Sequence, residues 1–551
     1  MTNSEQKPIR IGVLIREFET LNNYEYRILN HIISDPELEL VLLIKDGRKH
    51  LSSTKNRLYR NIFSRQLLAN TLFKIQNLIE LKIFHFEQFE KKSETIEYLN
   101  KVTCIELNPQ RKGFLDVFSD EESEIVKSYQ LDVILRHEFN IIRGKILDSA
   151  KHGIWSFHHG DNAVNRGGPA GFWEIVLNEP CVGVTLQKLT PALDGGKIID
   201  KAYYNWEFSH IVTNHDVLES SVNLLIKNLN KLKTGQITYQ NSLVYYNPLY
   251  KKPNLKYLFI YLFKFYKAIL TKILYRAISI IPNKRRYCWS LFFSKGIFLE
   301  SQLYKKKEIA LPKKEFWADP FLLQHKGALF AFFENYEYSR SKGKISCARI
   351  VDNNFVEVTD ALNLSYHLSY PFMISEDNEI YMIPETLATK RLEVYKCIEF
   401  PSKWELYSTA FENEEVSDTS YFTDENGIHW LFVNKGYKNK PELHIYRVDS
   451  LQLNHIESHK DNPVKIDTLI SRNGGAIFKY ENQYYRPSQV NSYGKYGNGL
   501  NINKIIKLNI EEYIEEKIIT VYPNFKKGLV GLHHLHQLDD HYIFDVCHRL
   551  K

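Results

Sequence analysis

Residues 153–171 read GIWSFHHGDNAVNRGGPAG, a short apolar run that passes directly into a polar, glycine-rich loop. The run predicts a strand, and similar runs at 9–15, 38–44 and 131–136 predict three more, with helix-like spacing between them. Continuous apolar runs of this length are typical of strands buried on both faces of a parallel sheet. The alternation predicts an α/β domain whose polar groups collect where the strands end.

The chain has 551 residues, which is long enough for two or three domains. Its 72 basic and 65 acidic residues give a net charge of +7, which is too small to indicate nucleic acid binding. The six cysteines are scattered without metal-ligand spacing, as in proteins of a reducing compartment, and residues 1–15 lack the pattern of a signal peptide. We therefore expect a cytoplasmic protein without a bound metal ion and without a nucleic acid partner.

A basic amphipathic helix is predicted over residues 257–286, where the longest uncharged run, 257–263, is too short to span a membrane. A helical wheel separates an aromatic and aliphatic face from a basic face made by Lys256, Lys264, Lys267, Lys272 and Arg276. Two interpretations stay open. The helix lies in the interface of an anionic membrane, which would place the protein on the inner face of that membrane, or it is a connector packed on a neighbouring domain.

From about residue 300 onward the sequence repeats a pattern of apolar strand, polar turn and aromatic-rich strand, which predicts hairpins. Five such segments are separated by 51, 49, 55 and 59 residues when they are aligned on Pro320, Pro371, Ser420, Gly475 and His534. A repeat of this length with several strands in each unit predicts a five-bladed β-propeller. We therefore expect a multidomain chain with an α/β domain at 1–245, a helical linker at 246–300 and an all-β propeller at 301–551.

Two polar turns of the first domain carry residues suited to proton transfer. His158 follows the strand at 153–158, and Asp194 lies in the turn ALDGGKII (192–199) after the next strand. A histidine and an aspartate at one edge of a sheet can share a proton-transfer task. The alternative is two ordinary glycine-rich turns in which both side chains are structural.

The order of SFHHGDNAVNRGG, VGVT and LDGG resembles the 10-formyltetrahydrofolate-dependent formyltransferases, especially the sugar N-formyltransferases, over about residues 8–240. The resemblance implies a Rossmann-like domain and a formyltransferase activity. It also implies that His158 stabilises an oxyanion and that Asp194 assists proton removal from the attacking amine. Ser156 stands where the family has a catalytic asparagine, and a hydroxyl is a shorter donor than an amide.

The same resemblance implies 10-formyltetrahydrofolate as cofactor, beside Phe139, Asn140, Ile141 and Ile142. His159, Asp161 and Arg166 would then contact the substrate, an amino sugar carried by a nucleotide or a lipid in surface polysaccharide or glycolipid synthesis. An activity like that of methionyl-tRNA formyltransferase is a further alternative. Another is a non-catalytic first half joined to a propeller that binds or processes carbohydrate.

The segments FWADPF (316–321), YPFMISEDNEIYMIPET (370–386) and GLHHLHQLDDHYIFD (531–545) resemble the N-terminal domain of plant glucosamine inositolphosphorylceramide transferases and the propellers of glycoside hydrolases. The resemblance implies that Asp319 acts as base or nucleophile and Glu385 as acid, since glycoside chemistry uses two carboxyl groups. Carbohydrate binding, substrate presentation and a scaffold role are the alternatives. The histidines at 533, 534 and 536 are expected in the propeller core, with His533 turned away by strand alternation.

Overall fold

The computed structural model describes residues 7–48, 65–191, 195–241, 244–278, 286–438 and 440–550. The chain divides into two compact units, Met1–Tyr266 and Lys267–Lys551, which are described separately. The division falls inside the segment that the sequence predicts as a linker. Within the described residues no helix is both long and apolar enough to cross a membrane.

The first unit is built on a seven-stranded sheet with helices beside it. Its strands are β1 Ile9–Ile15, β2 Leu38–Asp46, β3 Cys104–Leu107, β4 Gln110–Lys112, β5 Leu115–Val117, β6 Val133–Arg136, β7 Ile141–Arg143, β8 Ile154–His158, β9 Val182–Lys188 and β10 Lys197–Tyr204. Its helices are α1 Asn23–Ser34, α2 Arg65–Ile83, α3 Lys92–Leu99, α4 Asp120–Ser128, α5 Phe172–Leu177 and α6 His210–Lys233, and α7 Leu255–Ile278 begins in this unit. The sheet order is β10-β9-β8-β6-β1-β2-β3, and β4, β5 and β7 form a separate small sheet.

The predicted strands form the centre of this sheet. Strand β1 is buried over Ile11–Ile15 and pairs in parallel with β2 and β6, as its continuous apolar run predicts. Strands β8, β9 and β10 pair antiparallel, so the sheet is mixed rather than parallel as predicted. The sequence did not show this, because the length and burial of an apolar run do not encode strand direction. Between β6 and β8, where the spacing predicts a helix, the structure has β7 and a single 3₁₀ turn, Lys145–Asp148, which begins after Gly144 at φ +110°.

The second unit consists of antiparallel sheets throughout the part of the chain that the structure describes. Its strands are β11 Arg286–Lys295, β12 Glu315–His325, β13 Ala328–Glu337, β14 Lys342–Val351, β15 Asn354–Leu362, β16 Ser369–Glu376, β17 Glu379–Glu385, β18 Leu392–Glu399, β19 Lys403–Ala410, β20 Ser417–Thr423, β21 His429–Lys435, β22 Glu442–Val448, β23 Ile456–Ser458, β24 Lys465–Ile466, β25 Phe478–Tyr480, β26 Gln483–Ser492, β27 Lys495–Leu508, β28 Tyr513–Val521, β29 Leu529–Gly531, β30 Leu535–Leu538 and β31 His541–Leu550.

These strands make five sheets among the described residues. Four sheets are consecutive in the chain: β12–β15, β16–β19, β20–β24 and β25–β28. The fifth joins the first strand of the unit to the last ones, because β11 pairs with β31, which also pairs with β29 and β30. Each predicted hairpin segment lies in a different sheet, while closure into a propeller stays a prediction.

The first strands of three sheets share one backbone irregularity. Asp319 in β12, Tyr370 in β16 and Asp418 in β20 have φ values of +48°, +44° and +43°. At each of these places the pairing with the next strand shifts register, as in a β-bulge. A bulge redirects the side chain that it carries, and non-glycine residues in this region cost about 1–3 kcal/mol each.

Candidate functional site

In the loop after β8, which the sequence predicts as catalytic, polar groups form hydrogen bonds with one another and with α5. His158 Nε2 lies 2.6 Å from the carbonyl oxygen of Asn165, and Asn165 in turn donates to Glu174 Oε1 at 3.2 Å. The amide of Gly167 donates to Asn165 Oδ1 at 2.8 Å. Asp194 lies outside the described residues, so its pairing with His158 stays a prediction.

Ser156 and His159 are also held by neighbours inside the first unit. Ser156 is buried, and its hydroxyl accepts a hydrogen bond from Arg136 Nη1 at 3.0 Å and donates to the Phe157 carbonyl oxygen at 3.2 Å. The ring of His159 packs edge-on against Tyr24. Burial lowers the pKa of His159 to about 3, so the ring is neutral at physiological pH.

The predicted substrate residues Asp161 and Arg166 have protein partners as well. Asp161 accepts hydrogen bonds from Lys201 Nζ and from Tyr203 Oη, the latter at 2.9 Å. Burial opposes ionisation, but Lys201 holds the pKa of Asp161 below its usual value. Arg166 Nε donates to the Asn162 carbonyl oxygen at 2.7 Å, and its guanidinium lies 4.6 Å from the ring centre of Tyr245.

The predicted cofactor segment, residues 139–142, lies at the start of β7. Phe139 is buried with φ +73°, and its carbonyl oxygen accepts from Arg136 Nη2 at 3.0 Å. Asn140 donates twice to Asp116 Oδ2, at 2.8 Å from its backbone and 3.0 Å from its side chain. Ile142 is buried and Ile141 is half-buried. Binding of 10-formyltetrahydrofolate at this segment stays a prediction.

The second unit contains a cluster of carboxyl groups that we call the acidic centre: the buried Asp319, Glu334, Asp418 and Asp545 and the half-buried Glu385. The bulged strands β12 and β20 supply Asp319 and Asp418, β13 and β17 supply the glutamates, and β31 supplies Asp545. The groups are close enough to raise one another's pKa values. Of these residues the sequence predicts Asp319 and Glu385.

Asp545 organises one side of the acidic centre. Its carboxylate accepts hydrogen bonds from the backbone amides of Asp319, His533 and His534 at 3.2, 3.1 and 3.0 Å. Its other contact is with Nδ1 of His533, at 2.9 Å. Nε2 of the same ring lies 3.4 Å from Asp319 Oδ1. His533 therefore bridges two carboxyl groups, and these carboxyls raise its pKa although burial lowers it.

Arg472 organises the other side. Its Nε donates to Asp418 Oδ2, and its Nη2 lies 3.8 Å from Glu385 Oε2. Glu385 Oε2 also accepts from the backbone amide of Asp418 at 3.4 Å. The guanidinium stands 5.1 Å from the ring centre of Tyr496. One arginine thus faces two of the five carboxyl groups.

Two of these carboxyls have pKa values close to neutrality. Burial, with smaller contributions from Asp545 and Asp418, raises the pKa of Asp319 to about 7. Burial and Asp418 raise the pKa of Glu385 to about 8. Burial and the neighbouring carboxyls also raise the pKa of Glu334 well above its usual value. Groups with such pKa values can give and take protons at physiological pH.

A cavity of about 290 Å³ lies beside His533 in the second unit. Trp289 and Tyr496 line it, and their ring centres are 4.0 and 5.4 Å from that of His533. Lys495 and Arg549 lie at the same cavity. Aromatic walls with a few polar groups are typical of small-molecule pockets.

The histidines at 533, 534 and 536 do not follow the predicted strand alternation, because His533 and His534 precede β30. His533 faces the acidic centre, whereas the buried His534 packs against Phe321 and Tyr370. His536 Nδ1 accepts from the Leu322 amide at 2.7 Å. Asp319, His533 and Asp545 each offer one ligand atom, and these three atoms lie within 4.8 Å of one another. A metal ion could bind between them.

Sequence reasoning missed Glu334, Asp418, Arg472 and Asp545. Asp418 could have been predicted from the repeat, because Asp319, Tyr370 and Asp418 occupy the same left-handed position in three successive sheets. The alignment on Pro320, Pro371 and Ser420 makes Thr419 the equivalent of Asp319, so it misses Asp418 by one residue. Asp545 lies within the apolar strand β31, where nothing local marks it as functional.

Comparison with known proteins locates similarity in the second unit. Residues 305–543 match the family model described as the N-terminal part of glucosamine inositolphosphorylceramide transferase 1. The chain is 36% identical over 223 residues to glucosamine inositolphosphorylceramide transferase 1 of Oryza sativa subsp. indica, covering 39% of this chain and 29% of the relative. The Arabidopsis thaliana protein of the same name is 32% identical over 221 residues, covering 39% and 28%. The chain thus spans less than a third of the length of these relatives.

Solved structures resemble parts of the chain at low identity. A sugar N-formyltransferase from a Shewanella species is 12% identical with a TM-score of 0.30, covering 46% of this chain and 87% of its own. A thermostable family-43 glycoside hydrolase is 12% identical with a TM-score of 0.32, covering 42% and 88%. Likeness at this level carries no argument about activity.

The predicted enzyme class is wrong. The sequence motifs of the first domain implied a formyltransferase, but the curated relatives are named as glucosamine inositolphosphorylceramide transferases. In addition, Ser156, Asp161 and Arg166 are engaged by protein partners. The glycine-rich loop therefore matched the motif in residue order without identifying the enzyme class.

Proposed function

We propose that the second unit binds an amino sugar at the acidic centre, as part of a transferase that acts in glycolipid or polysaccharide synthesis. The observation that carries this proposal is the charge of the centre. Five carboxyl groups lie there, four of them buried, and their close cationic partners among the described residues are Arg472 and His533, with His367 3.6 Å from Glu334. The ammonium group of an amino sugar would supply a further positive charge and three hydrogen-bond donors.

The protonation state of the centre supports a cationic ligand. With pKa values of about 7 and 8, Asp319 and Glu385 hold protons at neutral pH for much of the time. An ammonium group that replaced such a proton would let the carboxyl ionise, since a nearby opposite charge lowers its pKa. Binding should therefore release protons, and the released fraction should be largest where these carboxyls are protonated before binding.

The surroundings of the centre suit a sugar ring. Trp289 and Tyr496 line the adjacent cavity, and aromatic faces pack well on the apolar face of a sugar. We further propose that the five sheets are blades of a closed propeller around the acidic centre. Strands β12, β16 and β20 support this arrangement, since each presents its bulged residue, Asp319, Tyr370 or Asp418, from an equivalent position.

The curated relatives support the sugar class. Their name pairs glucosamine, an amino sugar, with inositolphosphorylceramide, a lipid. The matched region covers 29% of the rice protein, so the share of that activity carried by this region is itself part of the proposal.

Calorimetry on the full chain tests the proposal with a glucosamine glycoside and its N-acetylated counterpart. We expect the free amine to bind at least tenfold more tightly, with proton release at pH 7 that is revealed by buffers of different ionisation enthalpy. Glu385→Gln should weaken binding of the amine and leave the N-acetyl compound unaffected. Asp377→Asn is the matched control, because Asp377 lies exposed in the turn after β16. Equal binding of both sugars would overturn the proposal.

A second function, cleavage or transfer of a glycoside by the centre itself, is favoured by the two near-neutral carboxyl pKa values. Glycoside chemistry uses a carboxylic acid as proton donor and a carboxylate as base or nucleophile. Release of sugar from an amino-sugar glycoside, abolished by Asp319→Asn and by Glu385→Gln separately, would establish it. Binding without release in the native chain would restrict the centre to recognition.

A further inference from the structure

Helices α2 and α7 present large apolar side chains to solvent. On α2 the exposed ones are Leu67, Leu68, Ile75, Leu78, Ile79, Leu81 and Ile83. On the part of α7 that lies in the first unit they are Phe259, Phe263 and Tyr266, of which Phe263 is 67% exposed. We call these two sets the outer face. An ordinary surface helix turns its polar side outward, so apolar residues on this side need a separate explanation.

The inner sides of both helices are already packed. Ala69, Phe73, Gln76 and Glu80 are the buried residues of α2, and Leu258, Tyr261 and Phe265 are those of α7. The helices are joined by hydrogen bonds from Tyr261 to Glu80 at 2.7 Å and from Tyr266 to Gln76 at 3.0 Å. The outer face is therefore a second apolar surface that the core of the first unit does not use.

The predicted basic face of α7 needs one correction. Lys264 was expected on the polar side, but its ammonium group donates to the carbonyl oxygens of Ile175 and Val176, at 2.7 and 3.2 Å. Burial lowers its pKa. The helix is described from Leu255 to Ile278, so residues 279–285 of the predicted helix lie outside the described residues.

The charges of the two helices have one sign at the surface. Together α2 and α7 carry eight basic residues and one acidic residue: Arg65, Lys74, Lys82, Lys256, Lys264, Lys267, Lys272, Arg276 and Glu80. Glu80 is fully buried, where it accepts from Gln76, Tyr261 and Ser209. Every surface charge on the two helices is thus positive.

We propose that the outer face docks on an anionic lipid bilayer. Apolar and aromatic residues with basic side chains and no exposed acid are the composition of helices that lie in the membrane interface. Phe259 and Phe263 would enter the headgroup region, where aromatic rings are favoured. Lys74, Lys82 and Lys256 would face the acidic headgroups. A soluble protein partner or a second copy of the chain would more commonly meet a face with mixed charges.

Vesicle sedimentation of the full chain tests the proposal, with phosphatidylcholine vesicles and with vesicles that contain 30% phosphatidylglycerol, a composition chosen for the assay. We expect binding to the anionic vesicles that falls at least tenfold between about 0.1 and 0.5 M salt, since the Debye length shortens over this range. Phe259→Ser with Phe263→Ser should reduce binding at least tenfold. Ile514→Ser with Ile518→Ser is the matched control, since these residues are exposed on β28.

A second variant, Lys74→Glu with Lys82→Glu, separates folding from docking, because it leaves every apolar residue in place and should still abolish binding. Far-UV circular dichroism and the thermal midpoint check that each variant is folded. Equal binding to neutral and anionic vesicles, or no binding by the native chain, would overturn the proposal. Light scattering completes the test: a dimer that Phe259→Ser with Phe263→Ser converts to monomer would assign the outer face to self-association instead.

Discussion

The loop after β8 and the acidic centre are the two polar regions that the sequence marks as functional, and they differ in how their charges are satisfied. In the loop, Asp161 has Lys201 and Tyr203 as partners, and its pKa is lowered. In the acidic centre, Asp319 meets His533 and four further carboxyl groups, and its pKa rises to about 7. The charge of Asp161 in the loop is balanced by Lys201, whereas the centre holds more carboxyl groups than its nearby cations pair with, and it keeps protons on some of them.

This difference distinguishes the proposed binding site from a polar turn. Glycines, histidines and acids are common to both regions, so composition does not separate them. Energetically unfavourable features do separate the two regions. The acidic centre has left-handed backbone at Asp319 and Asp418, and burial keeps carboxyl groups there protonated. Strain and shifted pKa values are retained where function requires them.

The largest expected effect is the destabilisation of the second unit by Arg472→Met. Removing this guanidinium leaves Asp418 and Glu385 buried without their arginine, and breaking a buried ion pair in this way costs roughly 3–5 kcal/mol. Hydrogen-exchange mass spectrometry on the full chain measures the unfolding free energy from peptides of each unit separately.

Arg447→Met is the control for this change, because Arg447 pairs with Glu457 at the surface, where both side chains are over a third exposed. Exposed pairs contribute about 0–1 kcal/mol, so this variant should exchange almost as the native chain does. If Arg472→Met cost no more than its control, the centre would not depend on a buried cation, and the charge argument would fail.

A smaller loss is expected from Asp161→Asn in the first unit. The substitution removes the charge that Lys201 and Tyr203 contact, and hydrogen bonds to charged groups contribute about 1.5–3 kcal/mol. Peptides from β8, β9 and β10 should exchange faster. Asp120→Asn is the matched control, since Asp120 pairs with Lys145 where both side chains are 69% exposed. An unchanged exchange rate would mean that Asp161 is not structural and would remove the contrast between the regions.

The sequence predicts elements better than it predicts sites. The apolar runs of β1, β2 and β8 and the five hairpins are local patterns, and the structure has strands at each. Strand direction in β9 and β10 depends on how the chain returns to the sheet, which periodicity does not contain. The number of sheets follows from the repeat, but the pairing of β11 with β31 joins residues that are 246 or more positions apart in the chain.

Only some residues of the acidic centre could be predicted, because the others depend on contacts that are distant in the chain. Asp319 and Glu385 lie in segments with a recognisable pattern, whereas Asp418 becomes visible only when the bulged positions are aligned. Arg472 contacts Asp418, which is 54 positions away, and Asp545 contacts the amide of Asp319, which is 226 positions away, so local sequence does not show either role. In the loop the error was the opposite: motif order was informative about the fold but not about the activity.

The pH dependence of Asp319→Asn compares the two regions most directly, and per pH unit it is the smallest expected effect. The usual pKa of aspartate is 3.8, and that of Asp319 in the folded chain is about 7. Below about pH 4 the carboxyl is protonated in both states, and its contribution to stability is fully present. As the pH rises to about 7 the folded state alone retains the proton, so the native chain loses up to about 1.4 kcal/mol per pH unit over this window. Above it the loss is complete.

Asparagine does not titrate and tolerates the left-handed backbone at position 319, so the variant keeps the fold without this proton. Its unfolding free energy should fall less steeply between pH 4 and 7, and near pH 8 it should equal or exceed that of the native chain. Asp161→Asn should show the reverse dependence, because the pKa of Asp161 is lowered and its contribution is lost as the pH falls. Hydrogen exchange corrected for the intrinsic rate at each pH gives both curves. Parallel curves for native chain and Asp319→Asn would mean that Asp319 is ionised throughout, and the acidic centre would then resemble the loop rather than contrast with it.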